Sequence, residues 1–211
     1  MRLNSASRLI FGLLLLGSTF SANANLITNG TFDTDLSGWL TSPTGTGVPT
    51  TWIDGTAHLG RPGQEGISNL AQIVDIVPGT QVLEFVFDYE WQVNPPSTPD
   101  SFLAGLLLLD GFGAYNTVWF EFEQSSSDAA FGTTVQFSSQ ISLAGAPLLG
   151  AIENAAVLFR LTETVNDPAS AGTRIQIDNV SLTATSVPAP ATLTILGLGL
   201  AGLGYSRRSK G

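Results

Sequence analysis

Two groups of carboxylates in this chain stand at spacings that chemistry uses. In the run EFVFDYEW, residues 84 to 91, Glu84, Asp88 and Glu90 fall on one side of an alternating segment. A pair of carboxyl groups is what a glycosidase needs, one as acid and one as nucleophile or base. A retaining enzyme holds them about 5 to 5.5 Å apart, whereas i and i+2 residues of a strand lie about 6.6 to 7 Å apart, so side-chain tilt would have to close the gap. The second group is Tyr115, Trp119, Glu121 and Glu123, which share one parity of a run whose other parity is Val118, Phe120 and Phe122. If the second set is core, the first places two rings and two carboxylates on an open sheet face, where a sugar ring stacks and its hydroxyls find acceptors. Blander readings stand beside both groups: an acidic face on an acidic chain is solvated surface, and Trp119 is buried like other large rings. His58 is the single histidine, cysteine is absent, and neither G-x-S-x-G nor H-E-x-x-H occurs. A satisfied structural imidazole is therefore expected at His58, and the chain is not expected to be an enzyme.

The elements that would carry these residues read as strands. LITNGTF, TTWIDGTAHLG, LAQIVDIVPG, QVLEFVFDYEWQV, SFLAGLLLLDGFG, NTVWFEFEQ, TVQFSSQISLAG, NAAVLFRLTET and TRIQIDNVSLTAT are β-branched or aromatic runs separated by Gly, Pro, Asn, Asp and Ser clusters. Alternation is clearest where Phe85, Phe87, Tyr89 and Trp91 share one face against Glu84, Val86, Asp88 and Glu90. About nine short strands at this spacing predict an all-β, antiparallel β-sandwich, plausibly a jelly roll. LAGLLLLDG lacks alternation and reads as a doubly buried strand or a short helix. NPPSTPDS, residues 94 to 101, reads as a loop because its prolines remove ladder donors. Trp39 and Trp91 are expected in the core, while Trp52 is left open between core and site.

Residues 25–186 form one domain of ordinary size, in which three arginines oppose seventeen acidic residues for a formal charge of −14. A surface this acidic repels nucleic acid and anionic headgroups, so no nucleic-acid partner is expected. Without cysteine no disulfide braces the fold, and stability must come from the core, with a metal as the one outside aid. The sequons at Asn29 and Asn179 carry no inference.

Both ends read as export machinery. Arg2 and Arg8 precede the apolar run Leu9 to Leu16, and Ala22 and Ala24 occupy the small-residue positions of an A-x-A cut, so residues 1–24 are expected to be a secretory signal peptide removed after Ala24. At the other end, Ala189 to Tyr205 is free of charge. As a helix it would reach roughly 25 Å, just short of the hydrocarbon layer of about 30 Å. Arg207, Arg208 and Lys210 follow as a basic stop that would hold this end in the cytoplasm and the main body outside. Residues 187–211 are thus expected to contain a C-terminal transmembrane helix, at least a transient one.

The whole tail, VPAPATLTILGLGLAGLGYSRRSK, resembles the PEP-CTERM sorting signal of exopolysaccharide-producing Gram-negative bacteria: a short Pro-x-Pro motif, a Gly/Leu-rich membrane stretch and a basic end. The sorting motif falls on Val187, Pro188, Ala189 and Pro190, with Ala189 standing where the motif's name has glutamate. The resemblance implies an exosortase as processing partner, cleavage near Pro188 to Pro190, and delivery to the cell surface or extracellular matrix. A permanent tail anchor is the alternative.

The body also has a resemblance. NLITNGTFDTDLSGW, LAQIVDIVPGTQVLEFVFDY and IDNVSLT are similar to the opening, middle and closing strands of galactose-binding-like jelly rolls and carbohydrate-binding modules. In such modules the first and last strands lie side by side. That adjacency implies a structural calcium ion as possible cofactor, held by Asp33, Asp178 and carbonyls near Asn29 and Gly30. The bland reading is a turn at NGTFD and an Asp178 bonded to its own backbone. A structural or interaction role at the surface is expected, with recognition of extracellular polysaccharide as the alternative.

Overall fold

The computed structural model describes residues 24–41, 48–61, 65–76, 80–92, 99–109, 115–143, 154–164 and 173–186. Residues 1–23 and 187–211, with the signal peptide, sorting motif, apolar run and basic stop expected there, lie outside them. The chain divides into two compact units, one of residues Asn23–Thr185 and one of Met1–Ala22 with Ser186–Gly211. The first is described below.

Among its described residues that unit is all-β apart from one 3-10 turn at Ser126–Asp128. Its strands are β1 (Ala24–Asn25), β2 (Thr51–Ile53), β3 (Thr56–Leu59), β4 (Gly66–Asp75), β5 (Thr80–Gln92), β6 (Ser101–Leu109), β7 (Tyr115–Ser125), β8 (Thr134–Ser142), β9 (Asn154–Glu163) and β10 (Arg174–Ser186). One sheet runs β2-β3-β10-β5-β8, with β1 added to β10, and the other runs β4-β9-β6-β7. From β3 to β10 the chain changes sheet at every connection except the β6–β7 hairpin. Two four-strand layers, β3-β10-β5-β8 and β4-β9-β6-β7, filled in that alternating order are the winding of a jelly roll.

Alternation in β5 sorts its residues as the pattern predicts. Phe85, Phe87, Tyr89 and Trp91 are buried, and Glu84 is exposed on the opposite parity. Phe102, Ala104, Leu106 and Leu108 of β6 and Ala155, Val157, Phe159 and Leu161 of β9 face them from the other sheet. The described part of LAGLLLLDG, up to Leu109, therefore belongs to a central strand with one face in the core and Leu103 and Leu107 half-buried on the other. Trp39 lies in the core beside Phe32 and Phe159, and Trp91 is buried with its indole N–H donating to Gln124 Oε1 at 2.7 Å.

Two segments depart from the strand reading. Residues 26–32 (LITNGTF) form an irregular loop, because Asn29 and Phe32 adopt φ of 51° and 49°, which a strand cannot accommodate. Gly30 is forced by contact: a Cβ there would sit 2.0 Å from the Val180 carbonyl oxygen, and its own carbonyl accepts from Val180 N–H at 2.9 Å. The run TTWIDGTAHLG is a hairpin rather than one strand. Asp54 and Gly55, with φ of 48° and 87°, make the tight turn between β2 and β3 that an Asp-Gly pair favours.

Buried polar side chains finish the packing. Gln72, on the inward parity of β4, accepts from Thr28 N–H at 2.8 Å and donates to the carbonyls of Thr28 and Gly38 at 2.9 and 3.1 Å, pinning the opening loop. Ser68 accepts from Gly60 N–H and donates to the Val48 carbonyl.

The central ring yields a direct test. Phe87→Ala removes a fully buried side chain and is expected to cost about 3 to 5 kcal/mol in denaturant unfolding. A loss under about 1 kcal/mol would show that the two faces of β5 are assigned backwards.

Candidate functional site

The parity that buries Phe87 sends its neighbours outward, and on β5 those are Asp88, Glu90 and Gln92. Each is tied to an adjacent strand. Asp88 accepts from Gln136 Nε2 at 3.1 Å and from Asn179 Nδ2 at 2.8 Å; Glu90 accepts from the Thr134 hydroxyl at 2.9 Å; Gln92 donates to Gln176 at 2.6 Å. Of the three carboxylates first considered for catalysis, Asp88 and Glu90 thus cross-link β5 to β8 and β10, while Glu84 is exposed to solvent.

On β7 the register slips between Leu106/Phe120 and Leu107/Val118, leaving Trp119 as the extra residue of a bulge. Phe120 and Phe122 pack on the core, while Val118 is 54% exposed. Trp119 is half-buried against the core, and its indole N–H reaches the Ser142 carbonyl of β8, in the other sheet, at 2.9 Å. Glu121 and Glu123 are exposed, and Glu123 accepts from Ser101 Oγ at 2.8 Å. The bulge separates the ring from the two carboxylates, a break that strict parity counting cannot foresee. The side chain of Tyr115 lies outside the described residues.

Asp33 and Asp178 do come near one another. The Asp178 carboxyl is pushed up first by burial and then by the charges of Asp88 and Asp33. Asp33 accepts from the Thr31 hydroxyl at 3.0 Å, and Asp178 accepts from Asn179 N–H at 2.7 Å. The carbonyls expected as further ligands already serve protein donors, Asn29 taking the Trp39 indole N–H at 3.0 Å and Gly30 the Val180 N–H. Among the described residues no group of three acidic or histidine side chains is placed to hold a metal ion. A calcium ion here would rest on two carboxylates and the second lone pairs of two carbonyls, fewer hard oxygens than the six to eight it ordinarily takes.

A further constellation, which the sequence reading missed, occupies the sheet edge at β2, β3 and the start of β10. A cleft of about 420 Å³ is lined by Pro49, Thr51, Ile53, Gly60, Arg61 and Arg174. Thr51, His58 and Gln176 form one cross-strand row beside it. His58 is buried, bonds Thr56 Oγ1 through Nε2 at 2.8 Å, and leaves Nδ1 without a partner. Burial and then the Arg174 charge hold its basicity below the ordinary imidazole value. Behind Gly60 lies Glu163, at the last inward position of β9, with neither carboxyl oxygen hydrogen-bonded and 6% exposure. A Cβ on Gly60 would come within 3.4 Å of the Glu163 Cδ and 2.5 Å of the Thr173 carbonyl, so glycine alone fits. Burial, reinforced by the nearby Asp100 carboxylate, pushes the Glu163 carboxyl up to about 8. Asp100 is itself buried but satisfied, accepting from Thr164 N–H at 2.9 Å and from the Thr173 hydroxyl.

The two sheets and their winding define an all-β jelly-roll domain, a fold shared with a carbohydrate-binding module of solved structure. A CBM4 module matches 75% of this chain and 99% of its own at 15% identity and a TM-score of 0.51. The enzymatically active domain of tailspike protein 4 from bacteriophage CBA120 matches 76% of this chain at 18% identity and a TM-score of 0.50. The chain spans only 21% of that tailspike chain. At such identities the likeness is one of fold. Residues 186–208 match the PEP-CTERM protein-sorting motif. No curated protein matches the sequence. Among the described residues no helix is long and apolar enough to cross a membrane, and Ala189 to Tyr205 lies outside them.

Glu163 makes stability depend on pH with a definite sign. Its folded value of about 8 exceeds the ordinary 4.5, so the folded chain keeps a proton that the unfolded chain gives up between those values. Its favourable share is fully present below about 4.5 and is lost as pH rises through about 8. The loss is on the order of 5 kcal/mol. Glu163→Gln, which mimics the protonated form, is expected to flatten that part of the profile and to be more stable than wild type at pH above 8. Denaturant unfolding of both proteins at several pH values measures it, and parallel profiles would refute the assignment.

Proposed function

We propose that the chain is an exported exosortase substrate: residues 1–24 are a signal peptide that directs export, the sorting signal holds the C-terminus in the membrane, and processing near Pro188 to Pro190 delivers the sandwich to the cell surface or exopolysaccharide matrix. The observation that carries this reading is the PEP-CTERM match over residues 186–208, contiguous with the last strand of a folded domain. A Pro-x-Pro segment suits a processing site, since each proline lacks a donor and resists helix continuation. The role of the delivered domain is structural or interactive rather than catalytic, supported by Asp88 and Glu90 on β5, whose carboxylates serve as cross-links between strands.

Carbohydrate binding is the second reading, favoured by the exposed carboxylates Glu121 and Glu123 and the half-buried Trp119 on a jelly-roll body. A structural calcium ion between Asp33 and Asp178 belongs to it, supported by the Asp178 carboxyl, which burial and then the charges of Asp88 and Asp33 push up.

Intact-mass analysis of protein from the surface of the native host tests the sorting reading. Termini near Asn25 and Ala189 are expected; recovery of the tail through Gly211 in the membrane fraction would make it a permanent anchor. Replacing Arg207, Arg208 and Lys210 by neutral residues is expected to yield unsorted protein. For the second reading, a glycan array should give saturable binding that weakens in Trp119→Ala and in the surface variant Glu121→Ala. No binding by wild type would leave the domain a scaffold. For calcium, chelator should lower the thermal midpoint of wild type but not of Asp178→Ala. A midpoint indifferent to chelator in both would remove the ion.

A further inference from the structure

The cleft at β2, β3 and β10 gathers positive charge that the rest of the domain lacks. Of the three arginines in residues 25–186, Arg160 is committed to Asn69 on the other sheet, its Nε donating at 2.9 Å. The other two, Arg61 and Arg174, both line the cleft. Neither guanidinium makes an ion pair or side-chain hydrogen bond among the described residues, although fourteen of the domain's carboxylates are among them. Two like charges placed together without counter-charges are unfavourable, and the planar guanidinium fork suits a carboxylate accepted from outside.

Two buried groups beside the cleft also lack partners. The Glu163 carboxyl lies against Gly60, which lines the cleft, and His58 Nδ1 belongs to the row containing Thr51, which lines it too. A protonated Glu163 adds no negative charge at neutral pH, whereas an ionised one would repel an incoming anion. Asp54 and Glu90 also act electrostatically on His58 and keep this end of the sheet from being purely positive. The remaining lining is mixed. Pro49 and the 37% exposed Ile53 offer an apolar wall, and Thr51 offers a hydroxyl. At about 420 Å³ the space is that of a small-ligand pocket.

We infer that this cleft binds a sugar residue bearing a carboxylate, with Arg61 and Arg174 on the carboxylate and Pro49 and Ile53 against the apolar face of the ring. The choice of a saccharide rests on delivery of the domain to a polysaccharide matrix; the choice of an acidic one rests on the arginines. A densely charged polyanion does not suit it, because beyond about 8 to 10 Å the acidic surface would repel the neighbouring charges that salt does not screen. An isolated uronate on an otherwise neutral glycan does.

Titration calorimetry of the full chain in detergent decides it, with a xylo-oligosaccharide carrying one glucuronate branch as probe, the same oligosaccharide without the branch, and a short peptide with a free C-terminal carboxylate. The branched probe is expected to bind in a salt-sensitive manner, with affinity falling about tenfold or more in Arg61→Gln and in Arg174→Gln and unchanged in Arg160→Gln. Arg61 is exposed, so its variant remains decisive if Arg174→Gln fails to fold. Equal binding of the unbranched oligosaccharide would overturn the charge assignment while leaving glycan recognition standing. Equal binding of the peptide would overturn the saccharide assignment. No binding of any probe would overturn the inference, and the sorting reading, which rests on the intact mass, would be untouched.

Discussion

Phe87 is in ring contact with Phe85, Tyr89, Phe102, Phe122, Phe137 and Phe159, aromatics drawn from five strands and both sheets. In an exported chain without cysteine, this cluster does the work that disulfides do elsewhere. Its tilted and edge-on pairs hold two sheets that have no covalent link at the separation where side chains interdigitate. The outward polar ladder of the six-stranded sheet follows from it. The pleat that turns Phe87 inward turns Asp88 outward, so the position of the aromatic layer dictates where the carboxylate and amide ladder of β5, β8 and β10 must stand.

Local periodicity was therefore a reliable guide wherever the backbone kept its pleat, as from Phe85 to Trp91. It failed where one residue broke the count. Trp119 was grouped with Glu121 and Glu123 by parity, but the bulge in β7 hands it to Ser142 across the sandwich, a consequence of pairing with β6 that β7 alone does not encode. The Asp54–Gly55 turn, by contrast, was legible, since Asp-Gly between β-forming residues is a hairpin signal, and reading TTWIDGTAHLG as one run overlooked it. The cleft residues were illegible for another reason. Arg61 and Arg174 stand more than a hundred positions apart in sequence, and only the β3–β10 pairing brings them to one edge.

Buried polar groups mark the same limit. Gln72 and Glu163 both occupy inward positions of strands whose other inward residues are, Ser68 apart, aliphatic or aromatic, and pattern alone would rank both as misfits. Gln72 is fully used, exchanging hydrogen bonds with a loop forty-four residues away, so its cost of burial is offset by fixing the irregular segment around Asn29. Glu163 has no such loop to hold. Its oxygens are unpartnered, its neighbour Asp100 is acidic, and it resists ionisation instead. Identical placements with opposite outcomes separate a group that specifies the fold from one held at a cost to it, and unpartnered groups of the second kind collect where a ligand would complete them.

The sorting motif begins at Ser186, the final residue of β10, so no linker in the sequence separates the signal from the sheet. Thr183 and Ala184 are paired with Asn25 and Ala24, and Leu182 N–H donates to the Asn25 side chain at 3.0 Å. The same short stretch of β10 thus meets the residue that signal cleavage would leave as the new N-terminus and lies only a few residues before the prolines at which the tail would be cut. Trimming after Ala24 removes one rung of that pairing but spares Asn25, whose side chain also accepts from Ile27 N–H at 3.1 Å. A cut at Pro188 to Pro190 leaves the paired residues of β10 intact as well. A signal cut after Ala24 would fall inside β1 and cost one of its two rungs, and a tail cut would fall beyond β10, so the Asn25 contacts that join the chain ends would survive both.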